Sequence, residues 1–276
     1  MTARKTTRID MHVHTRGSDG LGSPEEIVRY ALKAKLDGLC ITDHHLTYTA
    51  ESLEVARALR QAGLLVFHGC EYSTAWGHLL IYGVNVEDFK WGYYPDPRKV
   101  ISEVNAAGGL CVPAHPFKGY KRMYGDRVKL LGGAAGIEAA NGQCTFQNPT
   151  ANKRAAYVAE THCFNAFGGS DAHNPRHVGF CYTQFNSVVV TEAELLRAMR
   201  AYKGCKAITS KKLVQEELEW RRAAYRTKAA RSYDLLPGLD LDSYPENVQV
   251  SLDGDEPWDE YGIWTTGQTD PGSTPH

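Results

Sequence analysis

Histidine and carboxylate side chains recur in short clusters along the sequence, beginning with Asp10, His12 and His14. Apolar and polar residues alternate over residues 9–14, a pattern that is typical of a β-strand. On that strand the two imidazoles would point to the same side and could bind one metal ion, since neutral imidazole is the commonest metal ligand in proteins. A single His-x-His pair is as compatible with an edge strand whose polar residues face water.

Further candidate ligands follow later segments that are also predicted to be strands. Short apolar stretches at 38–42, 64–67, 109–113 and 164–169 each lead to a histidine or an acid. The side chains at these strand ends are His44, Glu71, His115, Asp171 and His173. Asp19 lies in the first strand–helix loop, and His78 begins another predicted strand at 77–82. Histidines scattered over a surface would not coincide with strand ends in this way, so we expect these nine side chains to converge.

Predicted helices alternate with these strands. Their approximate bounds are 24–35, 50–61, 97–107, 149–161, 192–202 and 211–231, with further strands at 136–140, 187–190 and 207–208. Residues 117–133 are predicted to be loop with one short helix. The alternation favours parallel βαβ units, most simply a (β/α) barrel, in which functional side chains lie at the carboxyl ends of the strands.

The composition is that of an ordinary globular protein. The chain has 276 residues, of which 42% are hydrophobic and 23% charged, and its formal net charge of -1 gives no general attraction to nucleic acid or membrane. Its seven cysteines are dispersed without CxxC spacing, which favours free thiols in the cytoplasm over a disulfide framework. The first residues contain no apolar segment, and no long apolar run exists, so we expect neither a signal peptide nor a membrane span.

We predict three segments: a catalytic barrel over 1–210, a charged helix over 211–235, and an acidic arm over 236–276. The arm is rich in Pro, Gly, Asp and Ser, which favours partial disorder, although its aromatic residues could instead dock it on the barrel. The carboxylates of an acidic arm would repel the phosphates of a nucleic acid bound nearby, so we expect no stable nucleic-acid partner. The sequence leaves the oligomeric state open.

Five short motifs resemble those of one known family. They are Asp-Met-His-Val-His at 10–14, Thr-Asp-His-His at 42–45, Gly-Cys-Glu at 69–71, Ala-His-Pro at 114–116 and Ser-Asp-Ala-His at 170–173. In this order they resemble the PHP (polymerase and histidinol phosphatase) family, over roughly residues 8–210. The resemblance implies a distorted (β/α)7 barrel whose strands' C-terminal ends hold two or three divalent metal ions, and it implies hydrolysis of phosphoesters.

The resemblance also implies the ligand sets. The first metal would be held by His12, His14, Glu71 and Asp171; the second by Glu71, His78 and His115; and the third by Asp19, His44 and His173. Glu71 would therefore bridge two ions, and Asp19 stands where some members of the family carry His. These ligands suit Mn, Fe or Zn, and the sequence does not choose among them.

The expected mechanism uses two metals about 3.5–4 Å apart, which lower the pKa of a shared water and present hydroxide to phosphorus. Glu71 would bridge these metals, and Asp171 or His173 is the candidate proton shuttle. The candidates for binding the substrate are Lys118, Lys121, Arg122, Arg176 and Asn141. For any single cation a solvated surface charge is the favoured role, and Arg176 is the best candidate because Asn174 and Pro175 fix it close behind two ligands. Asn141 could instead serve a turn.

Two further acids lie next to candidate ligands in the sequence. Asp10 and Asp43 are expected to accept hydrogen bonds that orient imidazoles, and a buried polar or helix-capping role is the alternative. Four aromatic residues, Tyr72, Trp76, Tyr120 and Tyr124, could stack on a base or line the pocket, although aromatic residues are more often part of the core or the surface.

The function predicted from these features is metal-dependent hydrolysis of a small phosphorylated metabolite, with a nucleotide monophosphate or nucleoside bisphosphate most favoured. The alternatives are a short-oligonucleotide exonuclease, a histidinol-phosphate phosphatase, and a non-catalytic PHP module that binds metal for stability or docking. The complete ligand set argues against a non-catalytic module, because a site that has lost its activity can lose its ligands at little cost.

Overall fold

A curled mixed sheet and a separate parallel pair of strands form the centre of the fold. The structure is a computed structural model and describes residues 6–119 and 123–226. Within these residues the strands are β1 Thr7–Val13, β2 Gly38–Ile41, β3 Leu65–Ser73, β4 His78–Tyr82, β5 Leu110–Pro113, β6 Ile137–Asn141, β7 Ala166–Gly169, β8 Cys181–Phe185 and β9 Cys205–Thr209.

The helices cover the sheet and connect its strands. They are α1 Pro24–Lys33, α2 Ala50–Gln61, α3 Pro97–Ala106, α4 Gly142–Gln147, α5 Pro149–Thr161, α6 Glu192–Arg200 and α7 Lys211–Arg226. Three short 3-10 helices lie at Val86–Asp88, Gly125–Leu130 and Pro175–His177. Within the described ranges no helix is long and apolar enough to cross a membrane.

The large sheet has the strand order β5-β4-β3-β2-β1-β8-β9, and β6 pairs with β7. Strands β1, β2 and β3 run parallel, as do β6 and β7, whereas β4, β8 and β9 join their neighbours in antiparallel pairs. The fold is thus a mixed α/β structure with a sheet curled into a half-barrel. This agrees with the predicted barrel class but not with a uniform series of parallel βαβ units.

A short connection explains one of the antiparallel pairs. Only residues 74–77 separate β3 from β4, too few for the crossover of a dozen or more residues that a parallel neighbour requires. The β4–β5 and β8–β9 pairs are antiparallel although helices α3 and α6 lie in their connections. The predicted strand at 187–190 is wrong: Val188 and Val190 are exposed, and the strand lies earlier, at Cys181–Phe185. Helix α4 was not predicted at all.

Local sequence signals do set the helix starts. Ser23 caps α1 in a reciprocal capping box with Glu26, and Pro24 occupies the first helical position. Thr191 and Glu194 form the same box at α6. These caps satisfy backbone N–H groups that a helix start leaves without partners, so the helix positions predicted from sequence are nearly correct.

Strand β1 is buried on both of its faces, which places the first candidate ligands inside the protein. Ile9 and Met11 pack in the hydrophobic core, while Asp10 and His12, on the alternate positions, are also fully buried. A polar side chain so placed needs partners, because an unpaired buried polar group costs about 1–3 kcal/mol. The partners are the side chains described next.

Candidate metal centre

The nine side chains singled out from the sequence lie together at one end of the sheet. His12 and Glu71 come from β1 and β3, and the others come from loops and strand ends around them. Eight of them form three overlapping groups whose ligand atoms lie within 4.8 Å of one another: His14, Asp19, His44 and His173; His12, His14, Glu71 and Asp171; and His44, Glu71 and His78. The ninth, His115, adjoins these groups with its Nε2 3.0 Å from Glu71 Oε1.

The second of these groups is entirely buried. His12 Nε2 lies 3.1 Å from His14 Nε2 and 3.0 Å from Glu71 Oε2. Asp171 Oδ1 completes the group at 3.3 Å from His14 Nε2 and 3.6 Å from His12 Nε2. Four ligands about 2.1 Å from a tetrahedral ion stand about 3.4 Å apart, so these spacings fit one metal ion.

Glu71 directs its two carboxylate oxygens to different neighbours. Oε2 faces His12 and His14 at 3.0 and 3.1 Å. Oε1 faces His78 Nδ1 at 2.7 Å and His115 Nε2 at 3.0 Å. A carboxylate so divided has the geometry of a bridge between two cations.

Asp19 forms the third and more exposed group. Its Oδ2 lies 3.0 Å from His173 Nε2 and 3.6 Å from His44 Nε2, and half of its side chain is exposed. His14 joins this group through Nδ1, at 3.4 Å from Asp19 Oδ1. The cluster therefore has a buried floor around Glu71 and an open side around Asp19, from which a substrate can enter.

The imidazoles keep the buried acids ionised. Burial by itself would raise the pKa of Glu71, but the charge of His12 and hydrogen bonds from three imidazoles outweigh it and hold the pKa well below its usual range. Burial likewise opposes ionisation of Asp171, whose pKa is held low by Lys118 and His12. In turn, the carboxylates raise the pKa of His14 to about 9 despite its burial. Glu71 and Asp171 are therefore ionised and can bind metal cations. Such cations would bind by displacing the protons of the imidazoles.

Residues that the sequence reasoning missed hold this cluster in place. Glu138 on β6 is buried and lies 3.0 Å from His12 Nδ1. Gln143 on α4 contacts His173 Nδ1 with its Nε2, at 2.7 Å, and donates from the same Nε2 to the Asp171 carbonyl. A glutamate inside the otherwise apolar strand Ile-Glu-Ala-Ala-Asn was a signal that could have identified Glu138.

Two of the predicted substrate residues lie in the site, with partners inside the protein. Lys118 Nζ donates to Asp171 Oδ2 at 3.1 Å and to Gln143 Oε1 at 3.0 Å, and its side chain is only 12% exposed. Asn141 is fully buried, and its Nδ2 donates to Glu138 and Asp171. Lys118 thus lies at the metal cluster, while Asn141 supports an acid.

The remaining cations have different positions. Arg176 donates to Glu217 on α7 at 3.1 Å, and its guanidinium lies over the Trp220 ring at 3.7 Å. Its charge is therefore balanced by the C-terminal helix. Lys121 and Arg122 fall outside the described residues, as does the predicted arm at 236–276.

Asp10 and Asp43 bind backbone and hydroxyl groups rather than imidazoles. Asp10 accepts from the backbone N–H groups of Ser170 and Gly179, each at 2.8 Å, and burial raises its pKa to about 6. Asp43 accepts from Thr15 N at 2.7 Å and Ser18 Oγ at 2.8 Å. The two acids therefore shape the loops that carry candidate ligands, and of the roles considered for them the buried polar one applies.

Three of the seven non-glycine residues that have positive φ in the described part of the chain lie in or beside the cluster. His115 and Asp171 have φ values of 28° and 54°, and His45, next to His44, has 62°. Non-glycine residues adopt this region at a cost of about 1–3 kcal/mol, and they keep it only where the surroundings impose it. Such outliers occur most often at functional sites.

Comparison with known proteins supports the motif-based resemblance. Residues 10–109 match the family model of the PHP domain, and residues 149–203 match that described as PHP-associated. Together the two matches cover more than half of the chain. The chain belongs to the PHP family.

Individual PHP-family relatives match over shorter stretches. The 5'-3' exoribonuclease Rnm of Salmonella typhimurium is 34% identical over 80 residues, which are 28% of this chain and 27% of that protein. The 3',5'-nucleoside bisphosphate phosphatase of Chromobacterium violaceum is 33% identical over 78 residues, again 28% of this chain and 27% of that protein. The matched part thus spans about a quarter of each relative's length.

A solved structure supports the fold. A two-domain protein from Bacteroides vulgatus, described as containing a predicted PHP-like metal-dependent phosphoesterase, superposes with a TM-score of 0.55 at 20% identity. The match covers 74% of this chain and 65% of that one. At this identity the likeness concerns the architecture alone, and it agrees with a PHP-type half-barrel.

Proposed function

We propose that this PHP-family chain is a metal-dependent phosphoesterase that hydrolyses a small phosphorylated metabolite, with nucleoside monophosphates and bisphosphates as the favoured substrates. The observation that carries the proposal is the divided contact of Glu71, whose two oxygens face different sets of imidazoles. A non-catalytic domain stabilised by one ion would not need a carboxylate placed to bridge two cations, beside an open side around Asp19.

The proposed ligands are the eight side chains of the three groups together with His115, and they would hold two to three divalent ions of Mn, Fe or Zn. When bound, such ions lower the pKa of water and offset the negative charge that grows on the phosphoryl oxygens in the transition state. The protein's own contribution is to hold its imidazoles and carboxylates at ligand spacing before a metal arrives. The strained backbone at His115 and Asp171 is part of this preorganisation.

Lys118 is the proposed phosphate-binding cation. Its ammonium lies beside Asp171 and is held by Gln143, so it can donate to a phosphate oxygen without leaving the site. In the enzyme with two bound ions, in which the Asp19 group holds no metal, His173 is the proposed proton shuttle, because its ring is partly exposed on the open side of the cluster. Gln143 orients the ring through its contact with Nδ1.

A row of aromatic rings beside the cluster supports a nucleotide substrate. The His45 ring lies 6.1 Å from that of His44 and 4.8 Å from that of Tyr72, which in turn contacts Trp91. His45 is exposed and Tyr72 partly so. A nucleotide places its base one sugar away from its phosphate, on the scale of these separations, and bases stack well on such rings.

The test is phosphate release from adenosine 5'-monophosphate and ribose 5-phosphate, with Mn(II) supplied. These compounds share the same ester and differ in the base, so a higher kcat/KM for the nucleotide supports base recognition. Equal values would remove the nucleotide part of the proposal and leave the phosphoesterase part. Absence of turnover with either compound and with any phosphorylated metabolite, under Mn, Fe or Zn, would refute phosphomonoester hydrolysis.

Exonucleolytic cleavage of short oligonucleotides is the second candidate, because the Salmonella typhimurium relative is named as a 5'-3' exoribonuclease. A 5'-phosphorylated trinucleotide distinguishes the two functions. Release of mononucleotides faster than release of inorganic phosphate from the monophosphate would favour the exonuclease. Metal binding without hydrolysis of either substrate would favour a non-catalytic module.

A further inference from the structure

Glu138 lies behind the candidate metal ligands and contacts more than one of them. Its side chain is 1% exposed and projects from β6 among apolar neighbours. A buried carboxylate is costly unless every lone pair that faces the interior has a donor. Among the described residues, the donors to Glu138 belong to the candidate site or adjoin it.

The first contact is with the His12 ring. Glu138 Oε1 lies 3.0 Å from His12 Nδ1, and an ionised carboxylate can only accept a hydrogen bond. Nδ1 must therefore carry a proton, which leaves the lone pair of Nε2 for a metal. That nitrogen points at His14 and Glu71, in the buried group.

The second contact is with the backbone of His115. Glu138 Oε2 accepts from its N–H at 2.7 Å, and His115 has the strained φ of 28°. A hydrogen bond to a charged acceptor is among the stronger ones in proteins, and it helps to hold this strained conformation. The same carboxylate therefore fixes the ring of one candidate ligand and the backbone of another.

The third link reaches Asp171 through Asn141. Asn141 Nδ2 donates to Glu138 Oε2 at 3.0 Å and to Asp171 Oδ2 at 3.2 Å. Asn141 Oδ1 accepts from the backbone of Cys144, which sets the orientation of the amide. Glu138 thus connects three of the nine candidate ligands, which come from distant parts of the chain.

Gly169 makes room for this arrangement. A Cβ atom at this position would lie 2.4 Å from the His12 Cβ and 2.9 Å from Glu138 Oε1. Any side chain there would push the carboxylate and the imidazole apart. The glycine at the end of β7 is therefore explained by the contact between His12 and Glu138.

We propose that Glu138 is a positioning residue of the metal centre, which sets the tautomer of His12 and holds His115 and Asp171 in ligand geometry. The inference rests on the ligand assignment of the proposed function. Groups behind metal ligands that act in this way typically contribute 10–100-fold to metal affinity.

Glu138→Gln tests the role because it keeps the shape and changes only the hydrogen-bonding pattern. If the new amide turns its oxygen to His12, its NH2 group meets the His115 N–H and the Asn141 NH2. If it turns the other way, its NH2 meets the protonated Nδ1 of His12. The first orientation sets the NH2 group against two donors and the second sets it against one, so the wild-type tautomer and geometry cannot both persist.

The measurement is the dissociation constant for Zn(II), by competition with a chromophoric chelator. We expect it to rise about 10–100-fold in Glu138→Gln. The control is Glu217→Gln, which alters an equally buried glutamate on α7 with its own cationic partners. The control should lose stability while its zinc affinity stays within about twofold of wild type.

A second measurement does not depend on the Glu138→Gln variant. Long-range nitrogen–proton NMR spectra of the zinc-loaded wild type should show His12 protonated at Nδ1, with the signal assigned by its loss in His12→Asn. Protonation at Nε2 instead, or an unchanged zinc affinity in Glu138→Gln, would overturn the inference. A wild type that binds no zinc would instead refute the ligand assignment, so the two failures are distinguishable.

Discussion

Replacing Lys118 by Met should destabilise the metal-free protein much more than the metal-loaded protein. Lys118 Nζ lies 3.1 Å from Asp171 Oδ2, and both side chains are largely buried. At an effective dielectric constant of about 20 the attraction between the charges is about 5 kcal/mol, and breaking buried pairs costs about 3–5 kcal/mol in measured cases. Because His12 and His14 also neutralise Asp171, we expect the lower value, about 3 kcal/mol.

A bound divalent ion changes this balance, since it would compensate Asp171 without help from the lysine. We expect the loss of stability in the Mn(II)-loaded protein to be less than half of that in the apoprotein. By linkage, the metal should then bind Lys118→Met about tenfold more tightly than wild type, while the KM for a phosphorylated substrate should rise.

The assay is calorimetric unfolding with EDTA and with saturating Mn(II). A loss of about 3 kcal/mol lowers the melting temperature by about 6–12 °C in a protein of this size. Lys129→Met is the matched control, because Lys129 pairs with Asp126 at the surface at a similar distance, 3.1 Å, and exposed pairs contribute about 0–1 kcal/mol. Equal losses with and without metal in Lys118→Met would refute the reasoning that Lys118 and a cation compensate the same carboxylate.

Three further outcomes are expected. Asp171→Asn and His14→Ala should abolish phosphate release while far-UV circular dichroism stays unchanged; full turnover in either variant would contradict the proposed ligand roles. Chelation should lower stability reversibly, and metal restored at about 100 times its dissociation constant should return about 2.7 kcal/mol; a melting temperature indifferent to EDTA and metal would count against a metal centre. Burial opposes ionisation of Glu217, but His177 and Arg221 outweigh it and lower its pKa to about 2. Its stabilisation is therefore complete above the unfolded pKa near 4.5 and is lost as the pH falls toward 2. The stability difference between wild type and Glu217→Gln should be about 2 kcal/mol at neutral pH after allowance for solvent screening. It should shrink as the pH falls from 4.5 toward 2. A difference independent of pH would show that ionisation of Glu217 is not its cause.

The elements that carry strong local signals were predicted well. Helix α1 begins where Ser23 and Pro24 place it, and β1 has the alternation expected of a strand. Such signals are local because caps and periodicity depend only on residues a few positions apart. Strand β8 and the short helix α4 were missed. The direction of a strand depends on its pairing with distant segments, and a short helix depends on packing against them.

The candidate ligands also followed from local sequence, whereas their supporting residues did not. Seven of the nine ligands stand at predicted strand ends, Asp19 lies in a loop and His78 begins a strand, and the order of the motifs resembles one family. Glu138 and Gln143 lie in segments without such a motif, and their contacts span more than twenty residues of sequence. Arg176 shows the reverse case: its position behind His173 suggested phosphate binding, but a helix forty residues later supplies its acid partner.

Residue type and spacing along the chain therefore determined the chemistry that is available: imidazoles and carboxylates at the ends of strands, suited to divalent metals. The tertiary structure alone decided which of these atoms face one another, which carboxylates are buried and kept ionised, and which cations remain near the cluster. The physical reason is that ligand geometry and burial arise from contacts between segments far apart in sequence, and no local pattern specifies the distance between them.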